Sequence, residues 1–243
     1  RRQMLAAAAL GAGLLPGRAA LKQCSGSVTR VALELQERAE PARTWASSYD
    51  LASEEVTIEA ASSTAGPLEA YETAENPAQE GAVRVAEERA ALILLPDASG
   101  WQGEGVRSLA DRLAVFCGCA VLLPDLLRTE PPCTAPRDSE AYQAWLSGVP
   151  AARVDADVRT CVAYLRADRL IKGPISLLGL GLGGGQLLRA NAVELQLAAA
   201  VAICPRHYEL ASLATARAPT LCLCAADADP VALEEARRTL LDS

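Results

Sequence analysis

Ile175-Ser-Leu-Leu-Gly-Leu-Gly-Leu-Gly-Gly-Gly-Gln-Leu-Leu-Arg189 is the stretch that decides how this chain folds. Ile175 to Leu178 is a short apolar run, the mark of a buried strand. Five glycines between Gly179 and Gly185 predict a tight turn, and Gln186 to Ala190 open a helix. Two motifs share this frame. Gly179-Leu180-Gly181-Leu182-Gly183 matches the nucleophile elbow, G-x-S-x-G, in which a sharp strand-to-helix turn presents the central residue above a sheet. The central residue here is Gly181, which carries no nucleophile. Gly179, Gly181 and Gly184 also fit the dinucleotide fingerprint G-x-G-x-x-G.

The flanking sequence decides between them. From Ala90 onward, apolar runs at 91–95, 120–123, 175–178, 198–203 and 220–224 predict strands. Amphipathic stretches predict helices at 104–116, 153–167, 184–192 and 231–241. Strands alternating with helices predict an α/β fold: a mainly parallel sheet with helices on both faces. Upstream, Val56 to Ile58 and Leu68 to Tyr71 alternate as half-buried strands do. Turn residues at Asn76 to Glu80 suggest a hairpin or meander at the sheet edge. Tyr142 and Trp145 fall in a short helical insertion after a Pro-rich loop. Three apolar strands precede the glycines, whereas a dinucleotide fingerprint follows the first strand of its unit, with an acid about 20 residues on. Position 204 is Cys204, and the next acid is Glu209.

Composition narrows the classes further. The chain has 243 residues, of which 51% are hydrophobic, enough for one full core. A formal charge of −7 argues against a nucleic-acid partner. Of eight cysteines, Cys117/Cys119 and Cys222/Cys224 lie on apolar runs and read as small buried strand hydrophobes. Cys24 and Cys133 lie in polar loops and are available to pair in an oxidising compartment. No spacing resembles a metal site, and neither metal nor cofactor is expected.

Arg1-Arg2 followed by Met4–Leu15, almost wholly apolar, and then by Pro16-Gly17-Arg18-Ala19-Ala20 has the plan of a twin-arginine export signal. Twelve residues of helix span about 18 Å, short of the roughly 30 Å hydrocarbon core of a bilayer. The segment resembles the second half of a leader into the thylakoid lumen. Residues 1–20 are therefore expected to be a leader-like anchor or docking segment and 21–243 a single domain. The expected location is the plastid thylakoid lumen or membrane surface, with a mitochondrial or other organelle as the alternative.

From Val56 to Val231 the chain resembles the dienelactone hydrolase branch of the α/β-hydrolases. Ile93 to Gly100, ILLPDASG, is similar to the strand and oxyanion loop. Leu109 to Ala114 together with Ala120 to Leu127 resembles the first helix and next strand. Leu178 to Gly184 sits where that family carries G-x-C-x-G-G. The resemblance implies a triad of nucleophile, acid and His in that order, the His activating the nucleophile and the acid orienting the His. Gly181 stands at the nucleophile position. Asp229, or alternatively Asp227, stands at the acid position, and no His follows it. His207 precedes the acid and reads as structural or surface. Asp97 lies where the family often carries a carboxylate near the nucleophile; here it reads as a strand terminator. The expectation is a degenerate hydrolase with no catalytic residues, acting as a structural or binding subunit among the protein subunits of a membrane-associated complex. A thylakoid photosystem or antenna is the expected host, with Met4–Leu15 available for membrane contact. The alternatives are an active hydrolase with an unusual nucleophile, Cys204 or Ser176, and a dinucleotide-binding protein.

Overall fold

The computed structural model describes residues 20–23, 51–59, 66–75, 89–136, 139–191, 195–208, 210–224 and 234, 235, 238 and 239. Its strands are β1 (Ala20–Gln23), β2 (Leu51–Ile58), β3 (Leu68–Glu75), β4 (Ala91–Leu95), β5 (Ala120–Pro124), β6 (Ile175–Leu180), β7 (Ala199–Ile203) and β8 (Thr220–Cys224). Its helices are α1 (Glu104–Cys117), α2 (Glu140–Ser147), α3 (Ala151–Ala167), α4 (Leu182–Asn191) and α5 (Leu210–Ala214). The strands form one sheet in the order β1-β8-β7-β6-β4-β5-β3-β2. Pairing is parallel from β1 to β5 and antiparallel at β5–β3 and β3–β2. The two half-buried strands expected upstream are β2 and β3, paired at the sheet edge; the expected turn at Asn76 to Glu80 lies outside the described residues.

Alternation along the central strands explains why both faces carry helices. Ile93 and Leu95 join the cluster under α3 and α4, with Val154, Val158, Cys161, Leu165, Leu187 and Leu188. Leu94 points the other way and packs with Ala110 and Ala114 of α1. A strand buried on both faces needs apolar residues at every position, which is why these runs read as continuous.

All five expected strand runs are strands, and the α2 insertion is helical as expected. The boundaries around the glycines differ. Strand β6 runs two residues further, to Leu180, and α4 begins at Leu182 rather than near 184. The turn is confined to Gly181, and Gly183 to Gly185 belong to the helix. Of the expected terminal helix, Glu234, Glu235, Arg238 and Thr239 are helical; its other residues lie outside the described ones. So do residues 1–19. Ala20, placed in the leader segment, instead opens a strand registered on Leu221.

Candidate functional site

In an open parallel sheet the loops that carry function gather at the carboxyl ends of the strands. Here that edge collects Pro96 to Ala98 after β4, Asp125 to Arg128 after β5, Gly181 after β6 and Cys204 to Tyr208 after β7.

Gly181 has φ +50, in the left-handed region that side chains rarely adopt. Its N–H donates to the Ile203 carbonyl at 2.9 Å, and its own carbonyl accepts from the Arg206 N–H at 3.0 Å and the Gly185 N–H at 3.3 Å. The elbow is therefore locked to the end of β7. A Cβ built on Gly181 would lie 3.3 Å from the carboxyl carbon and from Oδ2 of Asp97. Asp97 thus does more than end its strand: its carboxylate faces the position a nucleophile would occupy. Sequence order alone shows no such partner, because 84 residues separate the two (181 − 97).

The remaining glycines make close approaches. A Cβ on Gly183 would overlap the Leu95 and Pro96 carbonyls, one on Gly179 would overlap Gly183, and one on Gly185 would overlap the Arg206 carbonyl. Gly184 sits 3.1 Å from the Pro205 Cα by the same construction. The glycines of the dinucleotide fingerprint therefore serve contacts within the fold. At the far end of α4, the buried Asn191 accepts from the Ala218 N–H at 3.0 Å. It donates to Thr220 Oγ1 at 2.7 Å, fastening the elbow helix to β8.

Ala98 and Leu182 are buried with Tyr142 of α2 in one apolar cluster, against which Cys133, Ala135, Trp145 and Leu146 pack. His207 is exposed, has φ +55 and stacks on Tyr142 with ring centroids 5.5 Å apart. Partial burial, and then the Arg206 charge, lower its pKa below the ordinary 6.5. Its role is packing, as the sequence suggests, but against the α2 insertion, a contact that no spacing reveals.

Asp229 and Asp227 lie outside the described residues. Ser176 pairs with Leu92 and Ala199 near the start of β6, at the edge of the sheet opposite the elbow. Cys204 directly follows β7 with φ +47, and its N–H donates to the Leu223 carbonyl at 2.6 Å. Cys222 and Cys224 are buried strand residues, as expected. Cys117 and Cys119 are not strand residues: Cys117 ends α1 and is exposed, whereas Cys119 is buried, as expected, but sits in the turn before β5. Strand β5 begins at Ala120, one residue after Cys119 and three after Cys117.

Sequence reasoning also misses the anchor after β5. Asp125 accepts the N–H groups of Leu127 and Arg128 at 3.1 and 3.0 Å, turning the chain so that Arg128 takes φ +58. The Arg128 guanidinium then grips the fully buried Asp157 of α3 at 2.5 and 3.3 Å and donates to the Pro67 carbonyl. Among the described residues, no group of three or more His, Cys, Asp or Glu could hold a metal ion, and no helix is long and apolar enough to cross a membrane.

Strand order, the elbow turn and the helix that follows it define the α/β-hydrolase fold, in the form seen in dienelactone hydrolase-like proteins. A Klebsiella pneumoniae protein assigned as a dienelactone hydrolase superposes with a TM-score of 0.66 at 22% identity, over 79% of this chain and 80% of its own. A dienelactone hydrolase-like promiscuous phosphotriesterase from metagenomic libraries gives 0.58 at 18% identity, over 79% and 76%. A cold-adapted esterase from an Arctic intertidal metagenomic library gives 0.56 at 14%, over 77% and 80%. No protein-family model matches the sequence, and no curated protein is similar to it.

Proposed function

We propose that this chain is a hydrolase-fold protein without catalysis at its elbow, serving as a binding or structural subunit of a membrane-associated complex. The host we propose is a thylakoid photosystem or its antenna. One observation carries the first half of this reading. The elbow residue is Gly181, and the space above it faces the Asp97 carboxylate instead of a side-chain nucleophile. Covalent catalysis needs a nucleophile and a base within hydrogen-bond reach. The elbow offers no nucleophile, and the sequence's single histidine is stacked on Tyr142. The second half rests on the leader-like Arg1–Ala20 segment and the acidic charge balance.

Two measurements test it. Purified full-length chain is assayed against p-nitrophenyl esters, a lactone and a phosphotriester, the substrate types that the names of the structural neighbours suggest. Rates equal to buffer are expected, and robust turnover overturns the first half. The chain is then tagged and recovered after mild detergent extraction. Co-purification with pigment–protein subunits is expected, and its loss on deletion of residues 1–19, with the domain still folded by circular dichroism, supports docking through that segment. Unfolding of the truncated chain places the segment in the core and removes the docking proposal.

A second reading has its own observation. Cys204 holds a left-handed backbone at the strand end next to the elbow, three residues before His207. A working hydrolase using this thiol predicts ester turnover that disappears in Cys204→Ala.

A further inference from the structure

Helix α1 ends at Cys117 and is followed by Gly118 and Cys119. Gly118 takes φ 60 and ψ 42 and donates its N–H to the Ala114 carbonyl, and Cys119 N–H donates to the same oxygen at 3.3 Å. This left-handed cap folds the chain back between the two cysteines. Consecutive Cα atoms are about 3.8 Å apart. A bend at the middle residue therefore brings its neighbours into the range of about 4.4–6.8 Å that a disulfide spans. The two thiols differ in access: Cys117 is exposed, beside Phe116 at 65% exposure, whereas Cys119 is buried.

We propose that Cys117 and Cys119 form a redox-active dithiol that reduces disulfide substrates, with Cys117 as the attacking thiol and Cys119 as the resolving one. The site is separate from the elbow and stands whether or not the reading of Gly181 holds. In the first step the Cys117 thiolate attacks one sulfur of the substrate disulfide. A mixed disulfide forms, and the other substrate sulfur leaves as a thiolate. In the second step Cys119, giving up its proton, attacks Cys117 Sγ and expels the second substrate thiolate. The chain ends with a Cys117–Cys119 disulfide, two electrons poorer, and the substrate ends as two thiols. The electrostatics agree with this division of roles. The hydrogen bond from Cys119 lowers the Cys117 thiol from 9.0 to about 7, against the opposing effect of burial. The same bond, and then burial, hold Cys119 well above the usual thiol range, with the Arg89 charge acting the other way.

The test uses the reduced full chain and oxidised glutathione, followed by acid quench, alkylation, trypsin and mass spectrometry. Cleavage after Arg112 and Arg128 gives peptide 113–128, whose only cysteines are these two. In the unaltered chain the peptide is expected two hydrogens lighter and unalkylated. Cys119→Ala should stop at glutathione bound to Cys117, and Cys117→Ala should stay reduced. A dithiol that survives in the unaltered chain overturns the proposal. So does glutathione accumulating there without an internal disulfide, or equal oxidation of Cys117→Ala. A second readout is the rate of Cys117 alkylation by iodoacetamide at pH 7. Raising its pKa from about 7 to 9.0 cuts the thiolate about fiftyfold, while the more basic thiolate is about eightfold more nucleophilic. Cys119→Ala should therefore slow alkylation about sixfold; an unchanged rate refutes the coupling between the two thiols. Should Cys119→Ala fail to fold by circular dichroism, the unaltered chain still decides the matter: Cys117 must be alkylated before Cys119.

Discussion

Placing a thiol at Gly181 tests the proposed reading of the elbow as a position without catalysis. Gly181→Cys puts a side chain on a backbone with φ +50, which costs about 1–2 kcal/mol for a residue with a Cβ. The new Cβ would stand 3.3 Å from the Asp97 carboxyl, tight enough that the carboxylate must give by a few tenths of an ångström. For a domain of this size each kcal/mol lowers Tm by about 2–4 °C, so a fall of about 2–8 °C is expected. Gly181→Ala should match it, because the strain is in the backbone. The chemistry follows from the neighbour. A carboxylate beside a thiol disfavours the thiolate, the reverse of the cationic setting that activates catalytic cysteines. The new thiol should therefore be less ionised at pH 7 than the roughly 3% of an unperturbed cysteine with pKa about 8.5. The assay is iodoacetamide labelling at pH 7, read on peptide 173–189, which contains no native cysteine. Labelling should be slower than that of the same peptide free in solution, and Gly181→Cys/Asp97→Asn should label faster than Gly181→Cys alone. Ester turnover should stay at the buffer rate in all three. Labelling of Gly181→Cys faster than the free peptide, or a burst of acylation, refutes this account of the elbow.

Other predictions concern the scaffold. Asp157→Asn leaves the buried Arg128 without its counter-charge and should destabilise the fold by about 3–5 kcal/mol in urea unfolding; Asp157→Leu/Arg128→Met should recover most of that loss, and a double variant no better than the single one refutes the pairing. Gly185→Ala drives a methyl into the Arg206 carbonyl and should cost at least about 1–3 kcal/mol, also read by urea unfolding. Burial holds the Asp125 carboxyl above its usual 3.8, against the Arg128 and Leu127 N–H groups that favour its charge. The folded state therefore binds its proton more readily than the unfolded state does, so this group's contribution falls as pH rises from about 4. The stability difference between Asp125→Asn and the unaltered chain should accordingly shift in favour of Asn as pH rises from 4 to 7, and a constant difference in unfolding free energy counts against the assignment.

Much of the fold is legible because its strands are buried on both faces. Ala91–Leu95 and Ala120–Pro124 need apolar residues at every position, and such runs are visible in one dimension. The edges are less legible. In β2 only Ile58 is buried, so the alternation that marks it covers its last three residues, although the strand begins at Leu51. Cys119 shows the same limit at a helix end: it continues an apolar run in sequence but sits in the turn before the strand begins.

The site is harder to read because its parts meet across the sheet. Asp97 comes to Gly181 because β4 pairs directly with β6, a neighbour relation that skips β5 and leaves no trace in local spacing. The glycine run also held two meanings that sequence could not separate. A turn glycine needs freedom in φ, whereas a contact glycine needs the absence of a Cβ. Only Gly181 in the run has a left-handed φ; Gly183, Gly184 and Gly185 are helical and lie against the Leu95, Pro205 and Arg206 backbones. A glycine at position 181 is therefore compatible with the elbow's architecture. The close packing of α4 against β4 and the 204–208 loop depends on the glycines that follow position 181, and it places no demand on the chemistry of the residue at the turn.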